Sequence, residues 1–329
     1  MNERPLSSGD LIADRRYEYG ADLARAGDHG ASAEMFEQTI ERAPHWAPAW
    51  LALGRARLAL GDAAAAAAAF RECLKRDPDD MHGASLELSR IDAAVSIDVA
   101  PPAYVTALFD AYAGDFDSAL VERLGYATPR QLTSLLREVS QRREPFARVL
   151  DLGCGTGLLG ECIARQAVWL EGVDLSSRML EQARKKAVYD ALHKGELLSY
   201  LLGATQTYDA IIAADVLIYF GDLAHVFFAA ARRLAPGGLF AFSVEQTDDA
   251  DWRIRPSLRY AHHANYIAGT LKECGLDLLR MEQAVLRKDR GKDVEGLLVL
   301  ARNPLTRADD LTPFDTVAPP HDEDEAALH

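Results

Sequence analysis

A glycine-rich turn between a predicted strand and a predicted helix constrains this fold more than any other feature. Residues 148–152 are mostly apolar, and Gly153, Gly155 and Gly157 follow at once, before a helical pattern begins. Because glycine has no Cβ, such a turn lets the backbone approach a ligand closely, and the helix start offers unpaired N–H groups. The sequence therefore predicts an α/β fold with a ligand site at this turn.

A second strand-like segment, residues 168–173, ends at the acidic residue Asp174. This carboxylate lies about 20 residues beyond the glycine turn, the spacing at which it can bind the ribose hydroxyls of a nucleotide cofactor. Its alternative role is to cap the helix that follows. The spacing Gly155-x-Gly157-x-x-Gly160 also satisfies the dinucleotide pattern, so a nicotinamide-dependent oxidoreductase is one alternative function.

Residues 11–95 repeat with a period of 34, which brings Gly20 onto Gly54 and Phe36 onto Phe70. This period resembles that of tetratricopeptide repeats. The glycines would let paired helices approach, with Phe70 filling the gap between them. Such repeats imply a groove for a protein or peptide partner. The alternative is that the domain only packs on its neighbour or mediates self-association.

Local signals predict where the repeat helices begin and turn. The Gly-Asp pairs at 27–28 and 61–62 should turn the chain, and residues 63–69 are strong helix formers after the capping residue Asp62. Pro78 is expected to start the next helix, where its missing N–H has no cost. Apolar positions over 81–91 indicate a third, capping helix.

Further segments follow in the order expected for a parallel sheet. Residues 208–219 predict a fourth strand and its exit, a Pro-Gly-Gly turn at 236–238 leads into a fifth, and 276–284 and 297–301 predict the closing strands. With DLGCGTG at 151–157 and GVDLS at 172–176, this order closely resembles the class I S-adenosylmethionine-dependent methyltransferases over about residues 104–302. With the repeats, the chain resembles tetratricopeptide-containing methyltransferases.

The resemblance implies a Rossmann-like, seven-stranded, doubly wound α/β sheet preceded by an all-α tetratricopeptide-repeat domain. The expected domains are 1–98 for the repeats and 99–302 for the methyltransferase. Residues 303–329 are acidic and contain proline, and they predict a flexible tail.

The resemblance also implies a binding site for S-adenosyl-L-methionine. Asp174 would bind the ribose diol, Leu175 and Met179 would lie against the adenine, and Asp151 would hold the loop and the ammonium group. Glu196 is the nearest candidate for the adenine amine, although it could equally open a helix at the surface. A helix ending near Tyr112 would close over the cofactor. The other cofactor-binding candidates are Gly153, Cys154, Gly155, Gly157, Asp215 and Val216.

The acceptor side of the site is less well defined by the sequence. Asp215, Tyr219 and Glu245 follow the fourth and fifth strands, where a doubly wound sheet opens its crevice. His262, Tyr219 and Tyr266 are the catalytic candidates, His262 because imidazole exchanges protons near neutral pH. The alternative for His262 is a structural histidine at a helix start. A metal is not expected, since no third ligand stands out near His262.

Charge and composition limit the classes of partner that this chain is expected to bind. The chain has a net charge of −14, with −6 in residues 1–98 and −6 in residues 303–329. Acidic flanks argue against binding to a phosphate backbone, so no nucleic-acid partner is expected. No segment predicts a membrane span, and cysteine usage favours a reduced, cytoplasmic setting. The methyl acceptor is not identified, and a non-catalytic scaffold with a retained methyltransferase fold is the second hypothesis.

Overall fold

The computed structural model describes residues 7–92, 94–114, 117, 125–140, 144–289 and 291–305. The first of these ranges is helical, and α1 packs on α2 as α3 packs on α4. The helices are α1 (Leu11–Ala26), α2 (His29–Arg42), α3 (Ala47–Ala59), α4 (Ala63–Arg76) and α5 (Ala84–Ile91).

Close approach within each helix pair depends on the glycines that recur in the sequence. A Cβ built on Gly54 would lie 2.4 Å from the Phe70 ring, and one on Gly20 would lie 2.9 Å from Phe36. The predicted contact between these glycines and the repeated phenylalanines is therefore present. Asp62 caps α4 by accepting a hydrogen bond from the Ala65 amide at 2.9 Å, as expected.

The prediction that Pro78 starts a helix is wrong. Helix α4 ends at Arg76, and the next helix begins six residues beyond the proline, at Ala84. The buried carboxylate of Asp80 accepts hydrogen bonds from the Ala84 and Ser85 amides at 2.6 and 3.0 Å. Because this side chain satisfies the first amides of α5, the helix starts after Asp80 and Pro78 lies in the preceding turn.

The described residues of the second half form one nine-stranded sheet with the order β3-β2-β1-β4-β5-β7-β6, and β9 pairs with β5 and with β8. The strands are β1 (Phe146–Leu152), β2 (Ala167–Asp174), β3 (Ala191–Lys194), β4 (Tyr208–Ala213), β5 (Leu234–Gln246), β6 (Trp252–Ile254), β7 (Tyr260–His262), β8 (Asp277–Asp289) and β9 (Lys292–Arg302). Helices lie between the strands: α8 (Leu158–Ile163), α9 (Ser177–Lys186), α10 (Leu197–Gly203), α11 (Ala224–Arg233) and α12 (Ala264–Glu273). Before β1 come α6 (Pro102–Tyr112) and α7 (Thr128–Ser140).

Seven of the strands form the expected Rossmann-like sheet, and the structure adds two short ones. β1 to β5 are parallel, and β9 runs antiparallel to β5 with Phe242 opposite Val299. The thirteen residues of β5 extend past the ladder with β4, which ends at Phe242, and Glu245 and Gln246 pair with β7. The sheet therefore exceeds the seven strands predicted because the long β5 offers a further edge, and β6 pairs with β7.

The connection between repeats and sheet is built into the methyltransferase core. The Tyr219 carbonyl accepts a hydrogen bond from the Ala100 amide at 2.8 Å, and the Asp98 carbonyl accepts one from the Gly221 amide at 2.6 Å. Leu86 of α5 belongs to the same buried cluster as residues of β4 and β5. The repeat domain therefore packs on its neighbour, whatever else it binds. The exact boundary at 98 stays a prediction.

The start of the predicted tail is docked rather than flexible. Asn303 is buried, its amide donates to the Gly238 carbonyl at 2.9 Å, and its side chain donates to the Leu234 carbonyl at 2.9 Å. Residues 306–329 lie outside the described residues. Within the described ranges, no helix is long and apolar enough to cross a membrane.

Candidate functional site

A cavity of about 360 Å³ opens where β1, β2 and β4 end, with α6 along one side. Its volume lies within the roughly 300–1,000 Å³ typical of small-molecule sites. Most of the residues predicted for the cofactor line it together: Tyr112, Asp151, Gly153, Cys154, Gly155, Asp174, Leu175, Glu196, Asp215 and Val216. Tyr219 also lines it.

The glycine turn has the shape of a cradle. Gly153 has φ +67°, and a Cβ there would lie 2.4 Å from Val216, so only glycine fits without a shift. Gly155 has φ +53°, and a Cβ there would meet nothing within 4 Å although the residue lines the cavity. The space beside Gly155 is therefore open to a ligand that touches the backbone.

Asp174 ends β2 and supports the cradle. Its Oδ2 accepts a hydrogen bond from the Gly155 amide at 2.9 Å, and its Oδ1 accepts one from the Ser176 amide at 2.8 Å. A carboxylate has about four acceptor positions, so both oxygens can still accept from a ligand. Burial raises the pKa of Asp174, and the charge of Asp110 adds to this, while the two amides oppose it. Ser176, not Asp174, is the capping residue of α9.

Asp151 is buried at the end of β1 beside the same cradle. Tyr189 donates a hydrogen bond to its Oδ2 at 2.6 Å. Burial raises the pKa of Asp151 to about 7, with the nearby charge of Asp174 adding to the rise and the Tyr189 hydrogen bond opposing it. Two neighbouring carboxylates in a cavity favour a cationic ligand, because a positive charge would offset both their repulsion and their burial.

Glu196 lines the cavity just beyond β3, and it also caps α10. Its carboxylate accepts hydrogen bonds from the Leu198 and Ser199 amides at 2.8 and 2.6 Å. Glu196 therefore opens a helix and also lines the cavity, so the two alternatives raised by the sequence do not exclude each other.

Helix α6 closes the cavity over α9. Ser176 donates a hydrogen bond to the Asp110 carboxylate, and Arg178 donates one to the Asp110 carbonyl at 3.1 Å. Tyr112 is the last residue of α6 and is 40% exposed. This placement fits the predicted closing helix.

Charged side chains meet at the other end of the cavity. Arg287, on β8, is 5% exposed, pairs with Asp215 Oδ2 at 3.0 Å and also binds Glu245. Ser243 donates a hydrogen bond to Asp215 Oδ1 at 2.9 Å. Tyr219 lies nearby in a short 3₁₀ helix, with its ring edge-on to Phe109 at 5.7 Å between centroids.

The structure does not bring His262 or Tyr266 to the cavity, which corrects their predicted catalytic role. His262 is fully buried, and its Nε2 lies 2.9 and 3.0 Å from the Phe220 and Gly221 carbonyl oxygens. Burial lowers the pKa of His262 to about 4, so it is neutral near neutral pH. Tyr266 donates a hydrogen bond to Asp222 at 2.8 Å. Both side chains hold the turn after β4 instead.

Met179 and Gly157 are also absent from the cavity wall. Met179 faces the core because it shares the buried side of α9 with Leu180 and Ala183. Gly157, at φ +90°, is the residue preceding α8, and its amide donates to the Cys154 carbonyl at 2.8 Å. Cys154 is buried, and burial raises the pKa of its thiol well above the usual range, which fits a small loop residue rather than a nucleophile.

Sequence reasoning missed several residues of the cavity wall. Tyr126, Arg259, Arg287, Lys288 and Asp289 line it, as do Val99 and Ala100 from the connection between the domains. Arg259 lies three residues before His262, a catalytic candidate of the sequence analysis, so that signal could have found it. The others lie far along the chain from any motif. In the described part of the chain, no group of three or more His, Cys, Asp or Glu could hold a metal ion.

Comparison with known proteins decides the family. A family model described as a methyltransferase domain matches residues 124–275, and one described as a tetratricopeptide repeat matches residues 23–89. The ubiquinone biosynthesis O-methyltransferase of Thiobacillus denitrificans is 30% identical over 179 residues, which cover 50% of this chain and 73% of that protein. The chain belongs to the S-adenosylmethionine-dependent methyltransferase family.

Other relatives match over shorter segments. The ubiquinone biosynthesis O-methyltransferase of Methylocella silvestris is 35% identical over 104 residues, 30% of this chain and 41% of that protein. The chain therefore spans less than half the length of some curated relatives it matches. Among solved structures, the N-methyltransferase NodS of Bradyrhizobium japonicum with S-adenosyl-l-homocysteine is similar with a TM-score of 0.43 and 24% identity, over 53% of this chain and 86% of that chain.

The cavity fits the cofactor of this family. The open space beside Gly155 accepts a ligand against the backbone, and Asp151 and Asp174 supply negative charge for a cationic molecule. S-adenosylmethionine carries a sulfonium and an ammonium group, so its charge matches this end of the cavity. The predicted methyltransferase fold, cofactor and tetratricopeptide repeats are therefore confirmed.

Proposed function

We propose that this chain transfers the methyl group of S-adenosylmethionine to an oxygen atom of a small-molecule acceptor bound in the same cavity. The observation that carries this proposal is that one continuous cavity joins the cofactor position to the predicted acceptor position. The cavity runs from the Gly155 and Asp174 cradle to Tyr219 and Arg287 without leaving the carboxyl edge of the sheet. The choice of oxygen rests on the relatives, which are described as O-methyltransferases.

In this proposal the residues of β1 and β2 bind the cofactor. Asp174 accepts hydrogen bonds from the ribose diol through the lone pairs that its two amide partners leave over. Asp151 faces the ammonium group, and the glycine cradle lies against the methionine part. Leu175 and Val216 contact the adenine, Glu196 lies at its edge, and Tyr112 covers the site.

The sulfonium supplies an activated methyl group, so the protein contributes orientation and exclusion of water rather than covalent chemistry. Tyr219 and Asp215 are polar side chains that line the cavity at the exit of β4, where the acceptor is predicted to bind. Tyr219 is fixed by Phe109 and by the hydrogen bond from Ala100 to its carbonyl. We propose that its hydroxyl contacts the acceptor oxygen and orients it for in-line attack.

Calorimetric titration with S-adenosylhomocysteine tests the cofactor half. We expect micromolar binding, about −8 kcal/mol. Asp174→Asn should weaken it by roughly 10- to 100-fold, since hydrogen bonds to a charged group contribute about 1.5–3 kcal/mol. Asp277→Asn is the matched control, because Asp277 is exposed at the start of β8, away from the cavity. Equal affinity in the wild type and Asp174→Asn would contradict the assigned site.

Transfer is tested with cofactor labelled in its methyl group and a panel of phenols, amines and thiols. A labelled methyl ether supports the proposal, whereas label on nitrogen or sulfur only would overturn the choice of oxygen. Cofactor binding without transfer to any compound would favour the scaffold hypothesis. The partner at the repeat groove and the cytoplasmic location stay predictions.

A further inference from the structure

The two ends of the cavity differ in the charged side chains that line them. Asp151, Asp174 and Glu196 line the end beside β1 to β3, whereas the cations Arg259, Arg287 and Lys288 line the other, basic end together with Asp215 and Asp289. β7 pairs with β5 on the edge that also holds β4, so β2 and β7 lie about two strand spacings of roughly 4.8 Å apart, and the two ends are distinct subsites. The acidic end suits the cationic cofactor, which leaves the basic end for the acceptor.

Most of the positive charge at the basic end is already matched. Arg287 binds both Asp215 and Glu245, and the second Glu245 oxygen lies 3.5 Å from Arg255 Nε. Lys288 pairs with Asp293 at 3.0 Å. These cations are therefore committed to carboxylates of the protein.

Arg259 differs from these cations. Among the ion pairs of the described residues, none joins its guanidinium to a carboxylate, and it donates a hydrogen bond to the Tyr219 hydroxyl. Burial lowers the pKa of Arg259, but the combined effect of Tyr219, Glu245 and Asp215 is larger and raises the pKa above its usual value. The guanidinium therefore stays charged. Arg259 therefore presents to the cavity a guanidinium that no carboxylate of the described residues approaches within ion-pair distance.

Two residues near Arg259 have unfavourable backbone conformations, which indicates that the surrounding structure holds this region in place. Leu258, directly before Arg259, is buried with φ +60°, a conformation that is costly for a residue with a branched side chain. Asp215, across the same end of the cavity, has φ +52°. Such conformations persist only where the surrounding structure enforces them, and they concentrate at ligand-binding sites.

We propose that the methyl acceptor carries a carboxylate and that Arg259 binds it, which places the reacting oxygen beside Tyr219. The planar guanidinium can donate two parallel hydrogen bonds to a carboxylate. Asp215 and Glu245 already offset much of the positive charge at this end, so a carboxylate of charge −1 suits it better than a phosphate of charge about −1.5 to −2. The walls formed by Val99, Ile218 and Phe220 suit an apolar or aromatic body.

This inference rests on the proposed function, and its test separates the two. The protein is first saturated with S-adenosylhomocysteine, and failure at that step counts against the proposed function. Matched acids and amides are then titrated by ligand-observed NMR: benzoate against benzamide, and 4-hydroxybenzoate and 3,4-dihydroxybenzoate against their amides. We expect the acids to bind about tenfold more tightly than the amides, because only the acids pair with Arg259.

Variants assign that preference to one residue. Arg259→Gln should remove the preference for acids while leaving S-adenosylhomocysteine affinity unchanged, and Arg259→Lys should retain part of it through charge alone. Arg253→Gln is the matched control, since Arg253 lies outside the cavity wall and pairs with Asp249. Circular dichroism checks that each variant is folded, and Arg259→Lys remains informative if the glutamine variant is not.

Three results would overturn the inference. The first is equal binding of acids and amides, or no binding of any acid, by the cofactor-loaded wild type at millimolar concentration. The second is a preference for acids that survives Arg259→Gln. The third is tighter binding of phenyl phosphate than of benzoate, which would indicate a phosphorylated acceptor instead.

Discussion

The raised pKa of Asp151 leads to a specific pH dependence of cofactor binding. In the free protein this carboxyl is half ionised near pH 7, because burial and Asp174 disfavour its charge. If it faces the ammonium group, the complex requires the ionised form, and binding below pH 7 must release a proton. The affinity for S-adenosylhomocysteine should therefore fall as the pH drops.

The magnitude follows from the fraction that is ionised. With a pKa of about 7, roughly a tenth of Asp151 is ionised at pH 6 and nearly all of it at pH 8.5. Calorimetry should thus show about tenfold weaker binding at pH 6, or about 1.4 kcal/mol. 5′-Methylthioadenosine, which lacks the amino-acid part, should show little of this dependence.

Two variants locate the effect. Asp151→Asn should remove the part of the pH dependence that belongs to the protein, while the ligand's own titration stays common to both proteins. Tyr189→Phe keeps the ring but removes a hydrogen bond that lowers the pKa of Asp151, so the midpoint should rise above pH 7 by about one to two pH units. Identical pH profiles for the wild type and Asp151→Asn would refute the reasoning.

Two further predictions concern stability. Gly54→Ala should destabilise the repeat domain by about 1–3 kcal/mol, because its Cβ would overlap the buried Phe70 ring, and the matched change Gly269→Ala meets nothing within 4 Å. Urea unfolding measures both, and equal midpoints would refute the overlap. The pKa of His262 falls from 6.5 to about 4 on burial, so stability should be lost progressively as the pH drops from about 6.5 to 4. His262→Gln should flatten that loss in pH-dependent melting without changing S-adenosylhomocysteine affinity, and an undiminished loss would argue against this source.

Local patterns in the sequence determined the cofactor half of the site. The turn requires glycine at 153 and 155, because the backbone there has positive φ and a ligand must be able to touch it. Glycines at these positions in the sequence therefore indicate the turn directly. Asp174 could be placed because β2 runs parallel to β1, so its end necessarily meets the glycine turn. The helix start at Asp62 followed from a side chain that caps within three residues.

Only the tertiary structure decided the acceptor half. His262 looked reactive by residue type, but burial between the turn after β4 and α12 makes it neutral and hidden. Arg259 looked ordinary, yet it lines the cavity charged, and no carboxylate of the described residues lies within ion-pair distance of its guanidinium. Such properties depend on which residues from distant parts of the chain surround a group, and on the dielectric they create, so no spacing along the sequence encodes them.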